Sequence, residues 1–133
     1  MKHNLMLTIT SLLSILFITF HLTDDTLRAK VGTPEAGARP SLRCPILVGW
    51  LYGTLVLAER RSGHVIMLVG SLLGLGVPVI HVMGAGGVFS RALAKSSGGF
   101  LFVWTLHALG VTTMFSLILS ARGLWNLKRG QPR

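Results

Sequence analysis

Acidic residues are scarce in this chain. There are four Asp and Glu in 133 residues, and none lies within an apolar run. A proton-coupled exporter needs a carboxylate inside the membrane to bind protons and cations, so that class is disfavoured despite the suitable size. The single cysteine, Cys44, excludes an intrachain disulfide and any Cys-x-x-Cys metal or haem-attachment motif. It reads as a small apolar residue at a helix end. His-x-x-x-His and His-x-x-Glu-His are both missing. Gly84-Ala85-Gly86-Gly87 does not run directly into Lys-Ser/Thr, so it is no phosphate-binding loop. No acid–His–Ser grouping has a supporting pattern, and the expectation is a protein that is not an enzyme and carries no cofactor. Charge as a whole is thin, at 13% of residues, where soluble domains carry about a quarter.

Apolar residues are what the chain has in abundance, at 50% with a mean hydropathy of +0.63. The charges cluster, leaving uncharged stretches of roughly 20 residues, the length that crosses a bilayer core as a helix. The net charge of +9 would suggest nucleic acid in a soluble protein. Here no basic stripe with interleaved aromatics is present, and the basic residues flank apolar runs where they meet anionic head groups. The expected fold is all-α, a four-helix transmembrane bundle forming one integral membrane domain, with spans at about 4–22, 44–59, 64–83 and 99–121 and an aqueous segment at 23–43.

A signal peptide is the competing reading of the first span, but its apolar run is long and no small-x-small site precedes Thr23. Thr10, Ser14 and His21 share one face of that helix, which is expected to point inward; on the last helix Thr105, Thr112 and Ser116 share one face, and His107, Gly110 and Met114 another. Asp24 and Asp25 ahead of Arg28 and Lys30 suit a helical turn beyond the membrane. Pro45 is permitted in the first turn of the second helix. Pro78 kinks or loosens the third, and a transporter would use it as a hinge. Residues 84–99 form a Gly-rich connector whose middle, 88–95, suits a short interfacial helix.

Two glycine pairs stand out. Gly49-x-x-x-Gly53 and Gly70-x-x-x-Gly74 lie on either side of a tight turn at Glu59-Arg60-Arg61-Ser62-Gly63. Folded as an antiparallel hairpin, Gly53 falls opposite Gly70 and Gly49 opposite Gly74. Glycines spaced by four clear a strip on which a neighbouring backbone can pack closely.

Four spans place both termini on one side. That side holds seven basic residues against six on the other, and its Arg60-Arg61 pair lies in a very short turn. The positive-inside rule then puts both termini in the cytoplasm of a multi-pass inner-membrane protein. His21, His81 and His107 all fall in the opposite half. With Asp24 and Asp25 they form the candidate set for a metal, since imidazole and carboxylate are good ligands. Haem would need two facing histidines at equal depth. His107 lies about 12 Å into its helix and His81 about 3–5 Å into its own, which argues against an axial pair.

The stretches His21-Leu22-Thr23-Asp24-Asp25, Trp50-Leu51-Tyr52-Gly53 through Glu59-Arg60-Arg61-Ser62-Gly63, and Gly70-Ser71-Leu72-Leu73-Gly74 resemble small bacterial four-span membrane proteins. The resemblance implies the fold and the membrane location, and brings no catalytic residue. The expected partners are the lipid bilayer and either a second copy or another membrane protein, with no nucleic acid. The leading functional expectation is a small non-enzymatic protein acting by helix packing, as an accessory subunit or homo-oligomer. A metal- or haem-binding protein and a dimeric small-solute transporter are the alternatives.

Overall fold

The computed structural model describes residues 2–32, 40–83 and 99–129, with side chains described over 4–24, 44–80 and 100–129. Four helices form in chain order: α1 (Lys2–Gly32), α2 (Pro40–Leu55), α3 (Arg61–Met83) and α4 (Gly99–Lys128). No strand occurs among the described residues. The expected interfacial helix at 88–95 lies outside them.

Each helix follows from local chemistry. α1 runs unbroken through Asp24 to Gly32, because nothing in that stretch breaks a helix and the acids precede the bases. α2 opens on Pro40, at the position where a missing N–H costs nothing. The chain leaves α2 at Leu55 and re-enters α3 through a turn in which Arg60 N–H donates to Leu57 O (2.8 Å) and His64 N–H to Arg60 O (3.2 Å). Glycine is required at Gly63, where a Cβ would collide with the Leu57 carbonyl. α3 continues through Pro78 to Met83. α4 continues past Ala121, where the last span was expected to end, to Lys128, so Arg122 and Lys128 lie in its last two turns.

The contacts run around a ring, α1 to α2 to α3 to α4 and back to α1. The α3–α4 and α1–α4 interfaces are the most extensive, and α2 leans mainly on α3. α3 and α4 are antiparallel: Ser71 meets Ser116, Gly74 meets Thr113 and His64 meets Gly123, all in one register. α1 and α4 are antiparallel as well, with Phe17 edge-on to Trp104 (centroids 5.8 Å) and His21 against Phe102 (5.3 Å). The start of α1 and the end of α4 therefore lie at the same end of the bundle.

Buried positions recur at alternating steps of three and four. On α1 they are Leu7, Ser11, Ser14, Ile18 and His21; on α4 they are Leu106, Leu109, Thr113, Ser116, Ser120 and Gly123. This heptad spacing is that of helices packed at shallow angles with interlocking side chains. What fills the positions is unusual for a soluble bundle. Among the described residues six buried side chains are hydrophobic and nine are polar, while 26 large hydrophobic side chains are exposed. A bundle in water would invert that ratio. Three helices, α1, α3 and α4, are long and apolar enough to cross a membrane, and the apolar part of α2, Cys44–Leu55, is shorter.

Candidate functional site

Among the described residues, chemistry-bearing side chains converge in the polar interior of the bundle, which is built in layers. The first layer joins α1 to α2. Trp50 Nε1–H donates to Ser11 Oγ (2.9 Å), Ser11 Oγ lies 2.8 Å from Thr54 Oγ1, and the Thr54 hydroxyl donates to Trp50 O (2.9 Å). Thr54 has one proton and spends it on the carbonyl, so Ser11 must donate to Thr54. The result is a closed circuit in which each hydroxyl donates once and accepts once. Closure matters in a low-dielectric interior, where an unpaired polar group is costly.

The second layer joins α3 to α4. Ser71 Oγ lies 2.6 Å from Met67 O and 2.7 Å from Ser116 Oγ, so one hydroxyl serves its own helix and the facing one. Thr113 bonds Leu109 O (2.6 Å) and turns its methyl toward Gly74. Ser14 bonds back to Thr10 O (2.8 Å). Ser120 Oγ is buried with no hydrogen-bond partner among the described residues.

The third layer is His64, which is 2% exposed. Its Nδ1 lies 3.0 Å from Arg60 O. Its ring fills the space where Gly123 lacks a side chain, since a Cβ there would come 2.5 Å from His64 Nε2. The sequence reading did not single out His64. The signal was present: His64, Met67, Ser71 and Gly74 step by three and four along α3.

The glycines pack differently from the expected hairpin, and that expectation is corrected. Gly53 faces Ile66, whose Cγ2 would be 2.5 Å from an added Cβ, and Gly70 faces the Trp50 ring, with Cε2 at 2.7 Å. Gly74 meets Thr113 Cγ2 (2.8 Å) and the far edge of Trp50 (3.2 Å). Gly49 is exposed and an added Cβ there would meet nothing within 4 Å. The reason is volume. A buried indole needs both space for its ring against a thin backbone and an acceptor for its N–H. Trp50 takes Gly70 and Gly74 for the first and Ser11 for the second. The turn is set so that glycine receives a large side chain rather than another glycine.

Ser14, His21 and Ser116 are buried, while at two positions the buried hydroxyl lies one residue beyond the one the sequence singles out. Ser11 is fully buried where Thr10 is half-buried and bonds Met6 O and Leu7 O. Thr113 is fully buried where Thr112 is half-buried and bonds Ala108 O and Leu109 O.

The metal candidates divide between faces. His21 is buried at 2% exposure and Asp24 is half-buried near it in sequence. His107 is exposed on the outside of α4, its Nδ1 2.9 Å from Val103 O of its own helix. The side chains of Asp25 and His81 lie outside the described ones. Among the described residues no group of three His, Cys, Asp or Glu could hold a metal ion. Pro78, the candidate hinge, lies within α3 and packs beside Gly110, where an added Cβ would be 3.5 Å from its Cγ. Comparison of the chain with protein-family models, with curated proteins and with solved structures gives no match.

Proposed function

We propose that this chain is a non-enzymatic integral membrane protein that acts through helix packing, as an accessory subunit or a homo-oligomer. The observation that carries the reading is the inverted bundle, with hydroxyls and imidazoles inside and large apolar side chains outside. Lipid tails are as apolar as leucine, so helices in a bilayer associate through small residues and side-chain hydrogen bonds. Ser11 with Trp50 and Thr54, and Ser71 with Ser116, are already committed to such bonds, which supports a packing role for them over a catalytic one. The outer aromatics agree with a bilayer. Trp104 and Trp125 are exposed on the same side of α4, three heptads apart. That separation is about 31 Å along a helix axis, matching a hydrocarbon core of about 30 Å with an aromatic residue at each edge.

The short apolar part of α2 supports the partner half of the proposal. Its 12 residues, Cys44–Leu55, span about 18 Å as a helix, and a span shorter than the bilayer is accommodated by thinning, snorkelling or oligomerisation. We place both termini on the cytoplasmic side, from the Arg60-Arg61 turn at their end of the bundle. The test is alkaline-carbonate extraction followed by chemical cross-linking and co-purification from native membranes. The protein should stay with the membrane and bring a second copy or a fixed partner. Release into the carbonate supernatant would overturn the membrane reading. A lone monomer purified with stoichiometric metal or haem would overturn the packing role.

A further inference from the structure

The outer face of α4 changes character along its length in a way that the packing role does not use. Val111, Phe115, Ile118, Arg122, Trp125 and Arg129 follow one another at steps of four and three, so they form one stripe, and all six are exposed. The first three are apolar and face the acyl region when Trp125 marks the bilayer edge. The last three are two guanidiniums on either side of an indole. The Arg129 guanidinium lies over the indole, its Cζ 4.8 Å from the Trp125 ring centroid. That contact folds the side chain back one turn toward Arg122. The surroundings reinforce the charge. Arg60, Arg61 and Lys128 lie at the same end of the bundle, and Glu59 is the acidic residue described there. The carbonyl end of the α4 dipole opposes an anion by about half a charge, and the basic side chains outweigh it.

We propose that this stripe binds one anionic glycerophospholipid, with an acyl chain along Val111, Phe115 and Ile118 and the phosphate between Arg122 and Arg129. Guanidiniums are the side chains best shaped for phosphate oxygens, and Trp125 holds one of them in position through a cation–π contact. A lipid without a compensating ammonium is selected because the site offers cations and the indole, with no carboxylate in the stripe. The inference rests on the membrane placement proposed above, which carbonate extraction tests separately.

The experiment is native mass spectrometry of the purified full chain in detergent, with equimolar phosphatidylglycerol and phosphatidylcholine. Wild type should retain phosphatidylglycerol preferentially in a one-to-one adduct. Arg122→Gln with Arg129→Gln should weaken retention about 30-fold, from about fivefold per basic side chain at an anionic surface. Arg60→Gln with Arg61→Gln removes the same charge at the same end and should weaken it less than about threefold if the α4 stripe is a built site rather than part of a diffuse field. Trp125→Leu keeps every charge and should cost about two- to fivefold through the lost stacking. Equal retention of the two lipids by wild type, equal losses in the two arginine pairs, or an unchanged Trp125→Leu protein would each overturn the proposal. Far-UV circular dichroism establishes that each variant is folded, and Trp125→Leu decides the question should the α4 arginine pair not fold.

Discussion

Replacing Gly70 with alanine adds one methyl group at a point where the backbone of α3 lies on the Trp50 ring. An added Cβ would stand 2.7 Å from Cε2 and from Cγ of that ring, well inside van der Waals contact. The ring has little freedom to retreat. Trp50 is 2% exposed, its Nε1–H donates to Ser11 Oγ, and its far edge lies against Gly74. The substitution must either separate α2 from α3 or break the Ser11 circuit. Overpacking costs about 1–3 kcal/mol, and an interhelical hydrogen bond in a membrane protein about 0.6–1.7 kcal/mol. Alanine returns up to about 1 kcal/mol of helix propensity, leaving a net loss of up to about 3 kcal/mol. Gly49→Ala is the same chemical change on α2, where the new methyl meets nothing within 4 Å. It should be neutral or stabilising by up to about 1 kcal/mol. Unfolding of both variants by sodium dodecyl sulfate, followed by far-UV circular dichroism, reads the difference directly. A hairpin zipped glycine to glycine would make the two equally damaging. If Gly49→Ala destabilises as much as Gly70→Ala, the reasoning from the Trp50 ring is refuted.

Gly123→Ala should destabilise by about 1–3 kcal/mol through the His64 ring, and His64→Ala should relieve much of that loss in the double variant; additive losses would show that the two do not pack together. Ser11→Ala should cost about 0.6–1.7 kcal/mol in the same unfolding assay. Trp50→Phe added to it should cost less than it does alone, because the shared circuit is already broken, and strict additivity would count against the circuit. In a Cys44→Ala background, Gly53→Cys with Ile66→Cys should cross-link within one chain through a short bis-thiol reagent, whereas Gly49→Cys with Gly74→Cys should not.

Much of the architecture can be read from residue order. Runs of about 20 uncharged residues force helices in a bilayer, because every backbone polar group there must be satisfied within its own segment. The turn at 56–60 is announced by Glu59, Arg60, Arg61 and Gly63. The inward face is harder to read. In water that face is marked by hydrophobicity; here both faces are apolar, and the inside is marked only by a sparse stripe of Ser, Thr, Gly and His. Thr10 and Ser11 are both hydroxyls, as are Thr112 and Thr113, so a one-residue error in choosing between them rotates the helix by about 100°. Ser14, Ser116 and His21 were legible on the inward face because each lies on the true heptad, while His64 was overlooked beside a turn rich in charge.

The sequence by itself determined that this chain is helical, that its helices are long and apolar, and that its positive charge gathers at segment ends. Those properties depend only on neighbours along the chain and on the solvent. Tertiary structure alone decided which glycine meets which side chain. Gly70 and Gly74 became the bed for Trp50, and Gly123 the bed for His64, because a close approach between helices is a property of two surfaces in register. A glycine's spacing on its own helix shows that a partner can come near. Whether that partner is another backbone, an indole or an imidazole depends on the volume of the side chains opposite and on where their polar atoms find hydrogen bonds.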